Sequence, residues 1–196
     1  MKNFILLTLI LISAFSYSQK KHHDHSEKEK FSYTNNGLEP KDVSVSINGM
    51  KRAVLLSKAK EWVKEKYGDS EEKFEEIEND NAEKGKKVKK IRVKGFSENA
   101  ICFNKGADYH CEKANYTIEL QFKDGEYKFK PKKLSYKPTS SNKKINIRFD
   151  RSDFHTAEGN TDSDYRKVPA QIEMLLNNLN KSLLNYLTDV PQEDEW

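Results

Sequence analysis

The sequence predicts an α+β fold, one twisted antiparallel sheet with two helices on one face, in the order strand, helix, antiparallel strands, helix. Three observations predict it. Residues 116–131, YTIELQFKDGEYKFKP, alternate Tyr116, Ile118, Leu120 and Phe122 with polar residues, break at Asp124-Gly125, and resume with Tyr127 and Phe129. That is a hairpin closed by a type I′ turn. A second turn at Gly106-Ala107 places the same apolar residues on the same face. Two apolar stripes at helical spacing, in 55–67 and 169–187, flank the strands and must cover the face that is not polar.

The chain begins with a signal-peptide pattern over residues 1–18. Lys2 supplies the positive start, 4–12 are apolar, and Ser16 and Ser18 sit at the minus-three and minus-one positions of a cleavage site. No Cys follows the apolar run, so a lipid anchor is not expected. The mature chain is expected to start at Gln19, to carry no transmembrane segment, and to be periplasmic or secreted. Residues 19–37 read as a disordered linker, most plainly the polar tract QKKHHDHSEKEK. His22, His23 and His25 lie there and are read as part of a solvated tail, with metal binding as the alternative. A single domain then spans 38–188, and 189–196 form an acidic tail.

Within the domain, Val43, Val45 and Ile47 alternate as a strand. Leu55, Leu56, Ala59, Trp62, Val63 and Tyr67 recur at helical spacing up to Gly68, placed where a positive-φ C-terminal cap belongs. Residues 73–79 read as a charged edge strand with a turn at 81–85. Val88 is out of phase with Ile91 and Val93, so a bulge is expected near Lys89-Lys90. If Gly106-Ala107 closes a two-residue loop, Cys102 opposes Cys111, Gly95 opposes Ile118, Val93 opposes Leu120 and Ile91 opposes Phe122. Pairing that long calls for a bend near Gly95-Phe96, which leaves 97–113 as a protruding arm. After Pro131 the phase shifts to Leu134 and Tyr136, so a second bulge is expected at Lys132-Lys133. Ile145, Ile147 and Phe149 make a last short strand, 151–164 a polar loop, and the second helix runs from about Pro169 to Leu187, with Ile172, Leu175, Leu176, Leu179, Leu183, Tyr186 and Leu187 as its stripe.

The stretches LLSKAKEWVKEKY (55–67), KIRVKGFS (90–97), YTIELQFKDGEYKFKP (116–131) and QIEMLLNNLNKSLLNYL (171–187) resemble a domain-of-unknown-function family of small exported proteins from Gram-negative bacteria. That resemblance implies a TBP-like fold and an export route, and it brings no catalytic residues with it.

Charged residues make up 34% of the chain, but both signs are interspersed and the formal net charge is only +4. A dedicated nucleic-acid binder usually concentrates its basic surplus. Two cysteines in an exported chain point to a disulfide, Cys102 to Cys111. His110 beside Cys111 makes no nucleophile and base, because neighbours on a strand face opposite ways. Asp150, Asp153, His155, Glu158, Asp162 and Asp164 read as a solvated loop, since 160–164 lacks the Gly of a calcium-binding loop and Gln171 stands where its bidentate Glu belongs. No catalytic residue, cofactor or metal is expected. The remaining expectation is a non-enzymatic binding or accessory module of the cell envelope; the alternative is a structural subunit of an envelope assembly that pairs through the 97–113 arm. The polar sheet face, with Arg92, Lys94, Lys128 and Lys130, is expected to bind anions weakly, so its partners would be an envelope protein, an anionic glycan or a lipid headgroup, and not nucleic acid.

Overall fold

The computed structural model describes residues 30–68, 74–78, 89–139, 141, 143–156 and 158–189. The signal peptide, the histidine tract, Val88, the 81–85 turn and the end of the acidic tail lie outside the described residues. Lys89 and Lys90, however, pair in unbroken register with Phe122 and Gln121 on one side and with Glu78 and Ile77 on the other, so the bulge expected near them is absent there. The elements are β1 (Ser32–Thr34), β2 (Gly37–Glu39), β3 (Val43–Ser46), α1 (Arg52–Tyr67), β4 (Phe74–Glu78), β5 (Lys89–Lys105), β6 (Asp108–Lys123), β7 (Glu126–Tyr136), β8 (Ile145–Ile147) and α2 (Val168–Leu187). The main sheet runs β3-β7-β6-β5-β4, and β8 pairs with β7 beyond the end of β3. Every pairing is antiparallel.

The Asp124-Gly125 hairpin has the register its alternation dictates: Phe122 opposes Tyr127, Leu120 opposes Phe129 and Glu119 opposes Lys130. Gly125 takes φ 74°, which the turn requires and only glycine adopts cheaply. Farther along, Thr117 pairs with Lys133 while Ile118 pairs with Pro131, so Lys132 is the extra residue of a bulge. The apolar side chains of β5, β6 and β7 meet Leu55, Ala59 and Trp62 of α1 and Ile172, Leu176 and Leu183 of α2 in one core. Trp62 ties the helices together, its Nε1 donating to Ser182 Oγ at 3.1 Å.

Three further expectations need correction. The linker ends by residue 30, not 37: Phe31 and Tyr33 are each 2% exposed, and β1 and β2 form a small hairpin beside α2. Two polar residues one turn apart on α2 take the place of a neighbouring strand. Asn177 both accepts the Phe31 N–H and donates to the Phe31 carbonyl, at 2.9 Å each, and Glu173 accepts the Tyr33 N–H at 2.8 Å. The hairpin is pinned from behind at Gly37, where φ is 86° and a Cβ would sit 2.5 Å from the Phe149 carbonyl oxygen.

The long β5–β6 ladder is also not continuous. Cys102 opposes Cys111 as counted from the Gly106-Ala107 turn, but Ser97 pairs with Ala114 and Ile101 with Glu112, so 98–100 bulge out opposite one residue. Beyond that point the register moves by two: Gly95 opposes Tyr116, Val93 opposes Ile118 and Ile91 opposes Leu120. A shift of two leaves every side chain on its original face. The face assignment therefore holds while the cross-strand partners change. Finally, the arm is docked and not free. Phe103 packs on Tyr136 and Tyr165 (ring centroids 5.8 and 5.3 Å), Cys102 N donates to Gln171 Oε1 at 2.8 Å, and Asn104 N donates to the Asp164 carbonyl at 2.8 Å.

Candidate binding surface

With α1, α2 and the β1–β2 hairpin on one side of the sheet, the other side presents the residues that alternate with the core. β6 contributes Thr117, Glu119 and Gln121 to it. On β5, Lys94, Arg92 and Lys90 stand opposite these in turn, and on β7 Lys133, Lys130 and Lys128 do the same. Among the described residues, no helix packs on this side.

The expected anion-binding residues divide into two groups there. Arg92 faces Glu119 across the strands and pairs with Glu75 (3.2 Å); Lys128 and Lys130 both reach Asp42 (3.1 and 4.0 Å). Glu119 itself is only 8% exposed, held by Gln121 Nε2 at 2.8 Å and by Lys90 at 3.9 Å. Sequence counting put Lys94 opposite Glu119; the two-residue shift moves Lys94 opposite Thr117 instead. Lys94 has no ion-pair partner among the described residues.

The disulfide joins Cys102 and Cys111 at a Cα–Cα distance of 4.1 Å, the close approach of a non-hydrogen-bonded antiparallel pair. It leaves neither sulfur as a thiol, so a cysteine nucleophile is ruled out in this state. The tip beyond it exposes Tyr109 (57%). Where 98–100 leave the ladder, a cleft of about 390 Å³ opens between β5 and α2, with the exposed Met174 on its rim. This cleft carries no signal in the sequence, because it exists only through the bulge.

The 150–164 loop is built from local bonds: Arg148 pairs with Asp153 at 2.9 Å, His155 Nδ1 meets Ser152 Oγ at 2.7 Å, and Asp164 N donates to Asp162 Oδ1 at 2.9 Å. Phe154 is buried and anchors the loop to Tyr33 and Tyr165. Among the described residues, no three His, Cys, Asp or Glu side chains are grouped to hold a metal ion, and no helix is long and apolar enough to cross a membrane.

A family model described as "Domain of unknown function (DUF4468) with TBP-like fold" matches residues 42–137. A DUF4468 family protein from Bacteroides ovatus is similar in structure, with a TM-score of 0.53 at 14% identity over 79% of this chain and 87% of its own. A TBP-like protein from Parabacteroides distasonis gives a TM-score of 0.49 at 15% identity, over 76% of this chain and 92% of its own. No curated protein matches the sequence.

Proposed function

With residues 42–137 belonging to the DUF4468 family of TBP-like domains, we propose that the protein is a non-enzymatic, exported accessory module of the cell envelope that binds through the open face of its sheet. The observation that carries this reading is the one-sided architecture. Both helices and the β1–β2 hairpin sit on the apolar face, which leaves a broad polar face whose charges are ordered by cross-strand pairing. TBP-like sheets are suited to surface recognition, but the wedges that open base steps in DNA are apolar. Here the central strand offers Thr117, Glu119 and Gln121, so specific DNA binding is not expected. Export is supported by the signal-peptide pattern and by the disulfide, which fits an oxidising compartment.

The alternative, pairing with an envelope assembly through the arm, is favoured by one feature, the exposed Tyr109 at the tip. The rest of the arm is engaged with β7, the 150–164 loop and α2, which leaves little of it for a partner.

Fractionation of the native host followed by intact-mass measurement without reductant tests the reading. The expected result is an envelope or secreted species that starts at Gln19 and lacks two hydrogens relative to the dithiol. A full-length cytosolic species with two thiols overturns it. Pull-down with Tyr109→Asp separates the two surfaces: the open-face reading expects partners to be retained, and the assembly reading expects them to be lost.

A further inference from the structure

We propose that one row of the open face, Lys94 and Lys133 on either side of Thr117 with Lys132 beside them, is a docking strip for a linear acidic polysaccharide. The proposal rests on the reading of this face as the interaction surface and names its partner class.

The face is electrostatically uneven. Around Glu119 and Gln121 the cations are answered: Lys90 by Glu119, Arg92 by Glu75, and Lys128 and Lys130 by Asp42. One row along, the pattern stops. Lys94 on β5 and Lys133 on β7 both oppose Thr117, with their backbones two strand spacings, about 10 Å, apart. The bulge adds a third charge. Between the buried Pro131 and the buried Leu134, Lys132 and Lys133 are both exposed, where regular alternation would have turned one of them inward. None of these three lysines has an ion-pair partner among the described residues. Repulsion among them works against folding, so the cluster contributes nothing to stability that would account for it. A bound anion offsets that repulsion.

The polar character of the row favours a polymer over a bilayer. The central strand offers this face only polar side chains, Asn115, Thr117, Glu119 and Gln121. The exposed Phe96, two residues along from Lys94, has the Lys113 ammonium 4.1 Å from its ring centroid. With Ile77 opposite Lys90, this is less apolar surface than an interfacial protein needs to enter the headgroup boundary. A strip that crosses the strands presents its ammonium groups in a line, with the Thr117 hydroxyl between them as donor and acceptor.

The test compares two charge-matched variants on immobilised heparin and on alginate. One carries Lys94→Gln, Lys132→Gln and Lys133→Gln; the other carries Arg92→Gln, Lys128→Gln and Lys130→Gln. Each loses three positive charges, so a binding mode set by net charge alone weakens both equally. The strip requires the first variant to bind about tenfold or more weakly than wild type at moderate salt, and the second to stay close to wild type. Thermal midpoints confirm that both fold, and the single variants Lys94→Gln and Lys133→Gln replace a triple that does not. Equal weakening of both triples overturns the proposal. So does stronger binding to phosphatidylglycerol vesicles or to single-stranded DNA than to either polysaccharide. If wild type binds neither polysaccharide, the strip falls while the open face can still be the contact for a protein. If an envelope partner instead maps to the arm, both readings fall.

Discussion

At Asp124 a turn residue also serves a helix. Lys51 precedes α1 without any capping side chain, and the Asp124 carboxylate accepts the Arg52 N–H at 2.8 Å from 72 residues away. Gly125 N donates to the Met50 carbonyl at 2.8 Å beside it. An acceptor at a helix N-terminus satisfies an orphan donor and meets the positive end of the helix dipole. Asp124→Ala should therefore cost about 1 kcal/mol in urea unfolding, and Asp124→Asn less, since its amide oxygen still accepts. The Asp-Gly pair is legible in the sequence as a turn. Its second role is not, because nothing local links Asp124 to Arg52. The buried tyrosines make a second prediction at this scale. Burial pushes Tyr33 and Tyr136 up to about 12, and raises Tyr67, Tyr116 and Tyr127 as well. The folded state keeps these phenols protonated, whereas the unfolded chain releases their protons near 10. Stability from this source is complete below about pH 10 and is lost as pH rises from there through 12. Denaturation midpoints should stay level up to that window and then fall. Midpoints that show no fall between about pH 10 and 12 would contradict the burial.

Among the elements, α1 and the disulfide-tied arm give the sharpest expectations. Trp62 is 2% exposed and bridges α1 to α2, so Trp62→Ala should cost roughly 3–5 kcal/mol; urea unfolding indistinguishable from wild type would mean that α1 does not cover this face. The disulfide closes a short loop, with Cys102 and Cys111 nine apart in sequence, and should contribute about 2–3 kcal/mol at most. Phe103, Gln171 and Asp164 also hold the arm, so the double variant Cys102→Ser, Cys111→Ser should keep the fold. Its loss of hydrogen-exchange protection should be confined to 101–111; loss that spreads across β6 and β7 would show that the bridge supports the whole sheet. The cysteine pairing was legible because it lies close to the turn that sets its register. The pairing beyond it was not. A bulge of 98–100 opposite one residue shifts the register by two, and a period-two pattern cannot register an even shift. The β1–β2 hairpin did leave a signal, Phe31 and Tyr33 in alternation before Asn35-Asn36-Gly37. Its neighbour in the fold, the Glu173–Asn177 pair on α2, reads as ordinary helix surface.

For the whole molecule, the hydrophobic pattern determines which side of the sheet is covered, and the turns determine which charges meet on the other side. The candidate surface was legible as a polar face. The division of its charges into an answered half and an unanswered row was not, because it depends on the exact partner of Glu119 and on the one-residue bulge at Lys132. The central claim is that the face opposite the helices is where this domain meets its partner. Photo-crosslinking in the native envelope tests it most directly, with benzoylphenylalanine placed singly at Thr117 on the open face, at Met174 on the exposed rim of α2, and at Tyr109 on the arm tip. The account predicts an adduct from Thr117 and none from the other two sites. Adducts from Met174 or Tyr109 with none from Thr117 would contradict it.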